Sequence, residues 1–325
     1  MKSTFNYASV KLPIQLFRLG KLLLCRLREH STSLFPPENK APLDLTVKLD
    51  ATPPTLTADR FKSTSVRALW QYRRLIVGSV AREFRSRYMN TVFGSVWLLL
   101  APFAMIVVYT IIFSQVMQAR IPGSQEPFAY SIYLCAGLLP WQWFTELLSR
   151  NVGIFVEHAG LIKKSSFPRS ALPIIAFLAS ACNFALIASL FLIFLLLMGR
   201  WPGWSILSLI PLLLLQSAFA LGIGVILGVL NVFFRDIGQA VGIILQFWFW
   251  LTPVIYPVTS LPQGVRDYLA WNPMFPLIHA YQTVLLGQGL PQWETLFGFI
   301  ALAAVSIIGA LWIYKVARSQ LVDEL

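Results

Sequence analysis

This chain reads as an all-α membrane protein with six transmembrane helices, and three observations lead there. Six apolar stretches, near residues 92–117, 128–148, 171–198, 206–232, 237–255 and 296–314, are almost free of charge. Each is long enough for a helix to cross a hydrocarbon core about 30 Å thick. The composition agrees: of 325 residues, 57% are hydrophobic and 12% charged, where a soluble domain carries about 25% charged residues. The charge is also unevenly placed. Residues 1–92 hold 16 of the 26 Lys and Arg against 6 acids, so they supply +10 of the net +12. Inside lipid the backbone must satisfy its own hydrogen bonds, which leaves helices as the spanning element.

From the N terminus, residues 1–63 form a basic extension and flexible linker. Residues 9–30 alternate Leu16, Phe17, Leu23 and Leu24 with Lys11, Arg18, Lys21, Arg26 and Arg28, the pattern of an amphipathic helix lying on a surface. Pro36-Pro37, Pro42 and Pro53-Pro54 then break up 31–62. Three readings of the basic charge compete: a cytoplasmic flank drawn to anionic headgroups, a solvated tail, or a nucleic-acid surface. The flank is preferred and nucleic acid set aside, because no recognition module is present and the basic residues lead directly into a span. No cleavable signal peptide is expected, since the run Leu22, Leu23, Leu24 is short and fenced by Lys21 and Arg26.

Residues 64–90 lack proline. Val66, Leu69, Trp70, Val77, Val80, Phe84 and Tyr88 recur at spacings of three, four and seven, which gives one helical face. Arg67, Arg73, Arg74, Arg82, Arg85 and Arg87 fall mostly elsewhere. This helix is expected at the cytosolic interface, feeding the first span.

Residues 91–317 are the membrane domain and 318–325 a cytosolic tail. Beyond residue 92, one side of the proposed bundle carries Arg150, Lys163, Lys164, Arg169, Arg235, Lys315 and Arg318, and the other Arg120, Arg200 and Arg266. That bias places both termini in the cytoplasm. Trp141, Trp143, Trp201, Trp204, Trp271 and Trp293 fall near span ends, where most are read as lipid anchors. Cys25, Cys135 and Cys182 do not make a disulfide framework.

Two intervals between spans are unusual. Residues 151–166 are too polar to cross and are read as a cytosolic connection whose apolar run forms a short helix. Residues 256–293 contain Pro257, Pro262, Pro273, Pro276 and Pro291 around an apolar piece too short to span. A re-entrant or interfacial pair of short helices fits there. Gly224-x-x-x-Gly228 and Gly238-x-x-x-Gly242 are read as close helix contacts.

The spans are nearly bare of ionisable groups, which argues against chemistry or an ion relay at midplane. Glu146 and Arg150 read as an i,i+4 pair. No His/Cys/Asp cluster has metal-ligand spacing, and no phosphate-binding loop of the form G-x-x-x-x-G-K-[ST] occurs. Energy for any pumping must therefore come from another polypeptide, and the connection around 157–162 is the candidate to receive it. Aromatic residues are plentiful instead. Trp97, Tyr109 and Phe113 lie in the first span, and Phe247-Trp248-Phe249-Trp250 wrap a full turn of the fifth. Flat ring faces suit the C–H faces of sugars; ordinary core packing is the plainer reading of any single ring.

With these residues in view, the chain resembles the membrane subunit of type-2 ABC exporters, specifically the polysaccharide (O-antigen, capsule, teichoic acid) permeases. The likeness covers about residues 66–320. It is carried by Arg82-Glu83-Phe84-x-x-Arg87-Tyr88, Gly94-Ser95-Val96-Trp97 and Ala101-Pro102, then Gly137-Leu138-Leu139-Pro140-Trp141. Leu161-Ile162-Lys163-Lys164, Phe167-Pro168-Arg169, Leu172-Pro173, Phe234-Arg235-Asp236-Ile237, Thr252-Pro253-Val254-Ile255-Tyr256-Pro257 and Asn272-Pro273 follow in order.

The resemblance implies a homodimer in the bacterial inner membrane with two copies of a cytosolic ABC ATPase. That ATPase holds the ATP and Mg; this chain needs no cofactor or metal and is a transport subunit, not an enzyme. The cargo implied is a glycan on an undecaprenyl-diphosphate carrier. A gate helix is implied at about 64–89, a coupling helix at about 151–164, and periplasmic gate helices within 256–290. On this reading Arg82, Arg85, Arg87 and Tyr88 receive the carrier diphosphate, since guanidinium groups match phosphate oxygens bidentately. Trp97, Tyr109, Phe113, Phe247, Trp248 and Trp250 line the conduit. Glu157, His158, Leu161 and Ile162 dock the ATPase. The extension before the gate helix departs from the family pattern. Two rivals stand beside this reading. One is a type-2 permease for drugs or small lipids, which glycosyltransferase genes nearby would disfavour. The other is a membrane-embedded lipid-linked glycosyltransferase, which would need an acidic or metal site that the sequence does not offer.

Overall fold

The computed structural model describes residues 72–88, 96–112, 128–163, 170–269, 271–317, Leu321 and Glu324. The extension 1–63, the start of the predicted gate helix, Phe113 and most of the tail lie outside them. Among the described residues every regular element is helical.

Helices α1 (Arg73–Tyr88), α2 (Trp97–Thr110) and α3 (Ala129–Glu157) come first, then a four-residue turn of helix, α4 (Ala159–Ile162). Helix α5 (Ala171–Leu197) follows, then α6 (Leu209–Phe233), entered through a 3-10 turn at Gly203–Ser208. After α7 (Asp236–Leu251) come two short helices, α8 (Gln263–Leu269) and α9 (Met274–Leu285). Helix α10 (Phe297–Ala317) closes the chain.

By length and apolarity three segments are fit to cross a membrane: Ala171–Leu197, Gly203–Phe233 and Trp293–Ala317. Helix α7, with 16 residues, is apolar but shorter. Helix α3 is the longest, at 29 residues, and carries Glu146, Arg150 and Glu157 towards its end. Half of the apolar window of Gly203–Phe233 is buried, against 17% for α5. The bundle is therefore centred on α6, which packs most extensively on α3 and α10, and α5 is peripheral.

Lipid tails are as apolar as leucine, so helices associate in a bilayer through close packing and buried polar contacts rather than through hydrophobic expulsion. Small residues on α6 allow that approach. A Cβ on Gly228 would lie 2.4 Å from the Asn151 carbonyl oxygen on α3, and one on Gly222 would lie 2.3 Å from Ser306 Oγ on α10. The second glycine pair behaves differently: Gly242 has open space around it and Gly238 meets only the Asn231 side chain. Polar side chains fasten the same seams. Gln216 Nε2 donates to the Pro140 carbonyl on α3 (2.7 Å). Asn231 Nδ2 donates to Val152 O (3.0 Å) while its Oδ1 accepts from Gly238 N–H (2.9 Å), joining α6, α3 and α7.

Three sequence expectations need correction. The interval 151–166 is not a separate connection: α3 runs unbroken through Asn151 to Glu157, and only Ala159–Ile162 forms a short helix of its own. The apolar groups Ile154 and Phe155 are buried against α5 and α6 residues such as Leu172 and Val229, which extends the helix past the point where polarity alone would end it. Second, Trp141 and Trp143 are both 4% exposed and belong to the protein interior. Trp143 stacks on Phe184, and Trp141 packs among Phe144, Trp248 and Phe249. Trp201, Trp204 and Trp271 do face outward. Third, the packed face of α1 is Tyr72, Ile76 and Val80, set against Ala171 and Ile175, whereas Val77 points away at 64% exposure.

Candidate functional site

Two concavities collect the residues of interest. The first is a cleft of about 390 Å³ at the end of α3, lined by Ser79, Arg82 and Glu83 of α1, by Arg150, Ile154, Glu157 and His158, and by Leu172, Ile175 and Ala176 of α5. Arg82, predicted for headgroup binding, and Glu157 and His158, predicted for docking, therefore share one cleft. Arg82 is exposed and donates from Nη2 to Ser79 Oγ (2.9 Å). His158 sits at the break between α3 and α4, its ring nitrogen Nδ1 3.1 Å from the Ile154 carbonyl. Ile162, on α4, is buried and Glu157 is exposed. Arg85, Arg87 and Tyr88 lie on the last turn of α1, and Leu161 on α4; their side chains are outside the described residues.

A charge network ties this cleft together. The Arg150 guanidinium pairs through Nη1 with Glu83 on α1 and through Nε and Nη2 with Glu146, one turn earlier on α3, at 3.0 and 2.9 Å. The other Glu146 oxygen accepts from Asn183 Nδ2 on α5 (3.1 Å). The expected i,i+4 pair is present but is only part of a four-residue link across three helices. Sequence reading missed Glu83 and Asn183 because their separation from Arg150 along the chain hides the contact.

The second concavity is an open groove of about 410 Å³ between α2, α3 and α7. It is lined by Tyr109, Phe249 and the largely buried Trp141, together with Gln142, Gln246, Thr145 and Ser149. Of the aromatics predicted for a conduit, Tyr109 is here. Trp248 is held inside instead: its Nε1–H donates to Asn272 Oδ1 (2.9 Å) and its ring meets Trp141 and Phe144 edge-on. Phe247 and Trp250 face outward, at 68% and 60% exposure. The side chain of Trp97 lies outside the described residues. Sequence reading missed Gln142, Thr145 and Ser149; their spacings of three and four, which place them on one helix face, are the signal that could have found them.

On the far side, α7 gives way to an irregular run, 252–257, whose carbonyls are met by side chains. Tyr133 O–H donates to Tyr256 O (3.0 Å), Tyr130 O–H to Ile255 O (2.8 Å) and Gln282 Nε2 to Val254 O (3.4 Å). Asn272 fastens the return of the chain, donating from Nδ2 to Thr252 Oγ1 (2.9 Å) and accepting from both Trp248 and Met274 N–H. Its replacement by leucine leaves the Trp248 N–H without its acceptor. The expected result is a loss of about 2 kcal/mol of stability, read as a lower melting temperature in detergent; an unchanged melt would show the clasp to be idle. Tyr256 O–H donates to Trp250 O (2.8 Å), and burial raises its pKa. His279 stacks on Phe275. Among the described residues no group of three His, Cys, Asp or Glu side chains is placed to hold a metal ion.

The family description "ABC-2 type transporter" matches residues 74–286, from α1 through α9. The chain belongs to this family. The match takes in both the cleft and the groove. Among characterised relatives, the chain is 32% identical over 262 residues to the O-antigen export system permease protein RfbA of Myxococcus xanthus, covering 80% of this chain and 98% of the relative. A protein of the same name from Klebsiella pneumoniae is 30% identical over 221 residues, 68% and 83% of the two chains. The polysialic acid transport protein KpsM of Escherichia coli is 24% identical over 248 residues, 75% and 93% of the two chains. This ABC-2 chain is accordingly a membrane permease subunit rather than an enzyme. Permeases of this type work with a cytosolic ATPase.

Proposed function

We propose that the chain is the membrane half of an ATP-driven exporter that moves a lipid-linked polysaccharide of the O-antigen, capsule or teichoic-acid kind across the bacterial inner membrane. The observation that carries this is the likeness to an O-antigen export permease along 98% of that protein's length. Six helices cross the bilayer in this reading: α2, α3, α5, α6, α7 and α10. Helices α8 and α9 form the re-entrant outer pair, and both termini are cytoplasmic. Two copies of the chain pair with two copies of the ATPase, which bind the ATP and Mg.

The undecaprenyl-diphosphate headgroup meets Arg82, Arg85, Arg87 and Tyr88 on α1. Guanidinium forks suit diphosphate oxygens, and the exposed Arg82 borders the cleft. Glu157, His158, Leu161 and Ile162 form the ATPase-facing end. The glycan passes along aromatic faces, and the groove lined by Tyr109 and Phe249 beside Gln142 and Gln246 is one stretch of that path. Rings stack on sugar C–H faces, and amides exchange hydrogen bonds with hydroxyls. Phe247, Trp250, Trp97 and Phe113 extend this surface; Trp248 contributes by positioning α7.

The test is co-purification with the ATPase followed by hydrolysis in nanodiscs. Undecaprenyl-diphosphate-linked glycan is expected to raise the ATPase rate several-fold, and drugs or short-chain lipids to leave it at its basal level. Stimulation by the latter alone would refute the polysaccharide reading.

A further inference from the structure

We propose that Arg150 is a positioning residue for export: through Glu83 it latches the gate helix α1 to the ATPase-facing end of α3. The inference rests on the transport reading above.

Contacts on the page give the latch its parts. Arg150 reaches across to Glu83 while holding Glu146 on its own helix, and Glu146 is anchored to α5 by Asn183. The side chains of Arg150, Glu83 and Glu146 are 18%, 32% and 27% exposed, so water screens the pairs less than it would at an open surface. Among the described residues α1 also packs on α5, with Tyr72, Ile76 and Val80 set against Ala171, Ile174, Ile175 and Leu178. Towards α3, the contact described is the Arg150–Glu83 pair.

The stoichiometry makes the contact releasable. A half-buried cation stripped of its only partner is strongly destabilised. Arg150 has two carboxylates, and when α1 withdraws Glu83, the guanidinium keeps Glu146. Glu83 lines the cleft beside Arg150. The trigger is also built in. From Arg150 the helix continues two turns to Glu157, breaks at His158, and resumes as α4. A push on that turn displaces Arg150 relative to α1, whose Glu83 it meets through Nη1 alone, while Nε and Nη2 stay on Glu146 of the same helix.

Hydrogen exchange of the permease–ATPase complex in nanodiscs tests this without any cargo. In the wild type, ATP is expected to lower amide protection in Arg73–Tyr88. In Glu83→Gln the same amides are expected to be about fivefold less protected before nucleotide is added, the size of one partly buried pair. ATP then adds nothing, and α6 protection stays unchanged. With glycan present, Glu83→Gln and Arg150→Met keep ATP hydrolysis within about twofold while export falls about tenfold, and Arg150→Lys restores part of the coupling because it keeps the charge but not the fork. Unchanged protection of α1 in Glu83→Gln would overturn the latch. So would a full ATP response in that variant, or hydrolysis and export falling in step. Because the exchange measurement contains no glycan, its failure leaves the polysaccharide reading standing, and absence of glycan stimulation leaves the latch standing.

Discussion

Replacing Gly228 by valine is expected to stop the bundle from assembling. A Cβ there lies 2.4 Å from the Asn151 carbonyl oxygen and 3.4 Å from the Phe155 ring. The oxygen belongs to the α3 backbone and has no rotamer into which to retreat. Helices α3 and α6 must part, and with them go the Asn231–Val152 bond and the Gln216–Pro140 bond. Overpacking in a close-packed core costs about 1–3 kcal/mol and sometimes more. With the loss of two polar fasteners the expected outcome is a protein that fails to emerge as a single species in size-exclusion chromatography. Gly222→Val meets Ser306 and the Ile307 nitrogen on α10 at 2.3–2.8 Å and is expected to behave in the same way. Gly242→Ala is the contrast: nothing lies within 4 Å of its Cβ, and its melting temperature should match the wild type. Equal stability of Gly228→Val and Gly242→Ala would show that α6 is not seated as described.

The second large effect concerns export itself. The double change Arg85→Ala, Arg87→Ala is expected to reduce surface glycan at least about 100-fold, because hydrogen bonds to charged groups are worth about 1.5–3 kcal/mol each and a diphosphate offers partners for both guanidinium groups. The complex with the ATPase should still assemble, since both residues lie on the last turn of α1, beyond the Ile76 contact with α5. The lysine pair, which keeps charge without the bidentate fork, should recover only part of the activity. Surface glycan at wild-type level in the alanine double variant would remove the headgroup role from α1.

Much of this architecture could be read from the chain, and the reason is the solvent. Lipid demands long apolar helices, so Ala171–Leu197 and Trp293–Ala317 are visible by composition alone. What stayed hidden has a common cause: in a bilayer protein, hydrophobicity no longer distinguishes inside from outside. Trp141 and Trp143 have the composition of interfacial anchors, yet they are core residues, because Phe184, Trp248 and Phe249 from other helices close over them. The two glycine pairs look alike in sequence, but Gly224 and Gly228 on α6 both meet Asn151 of α3, whereas Gly242 on α7 has open space around it. Val77 and Ile76 are neighbours of equal greasiness, and only the position of Ala171 and Ile175 decides which is buried. At the candidate sites, the short-range pair Glu146–Arg150 was legible; Glu83 and Asn183 were not, since no local pattern links α1 and α5 to α3. Polarity misplaced the end of α3 for a related reason. Asn151 is polar, but it is buried in the bundle and its amide finds an acceptor within the helix, Leu147 O (2.8 Å).

The continuity of α3 has a mechanical corollary. Tyr133, whose hydroxyl meets carbonyls of the 252–257 run, and Arg150, beside the cleft, are separated by about 26 Å of helical rise. They stand on a single strut with Pro140 as its one weak joint, and Gln216 is clipped to that joint. Movement at one end of α3 thus reaches the other without passing through any loop.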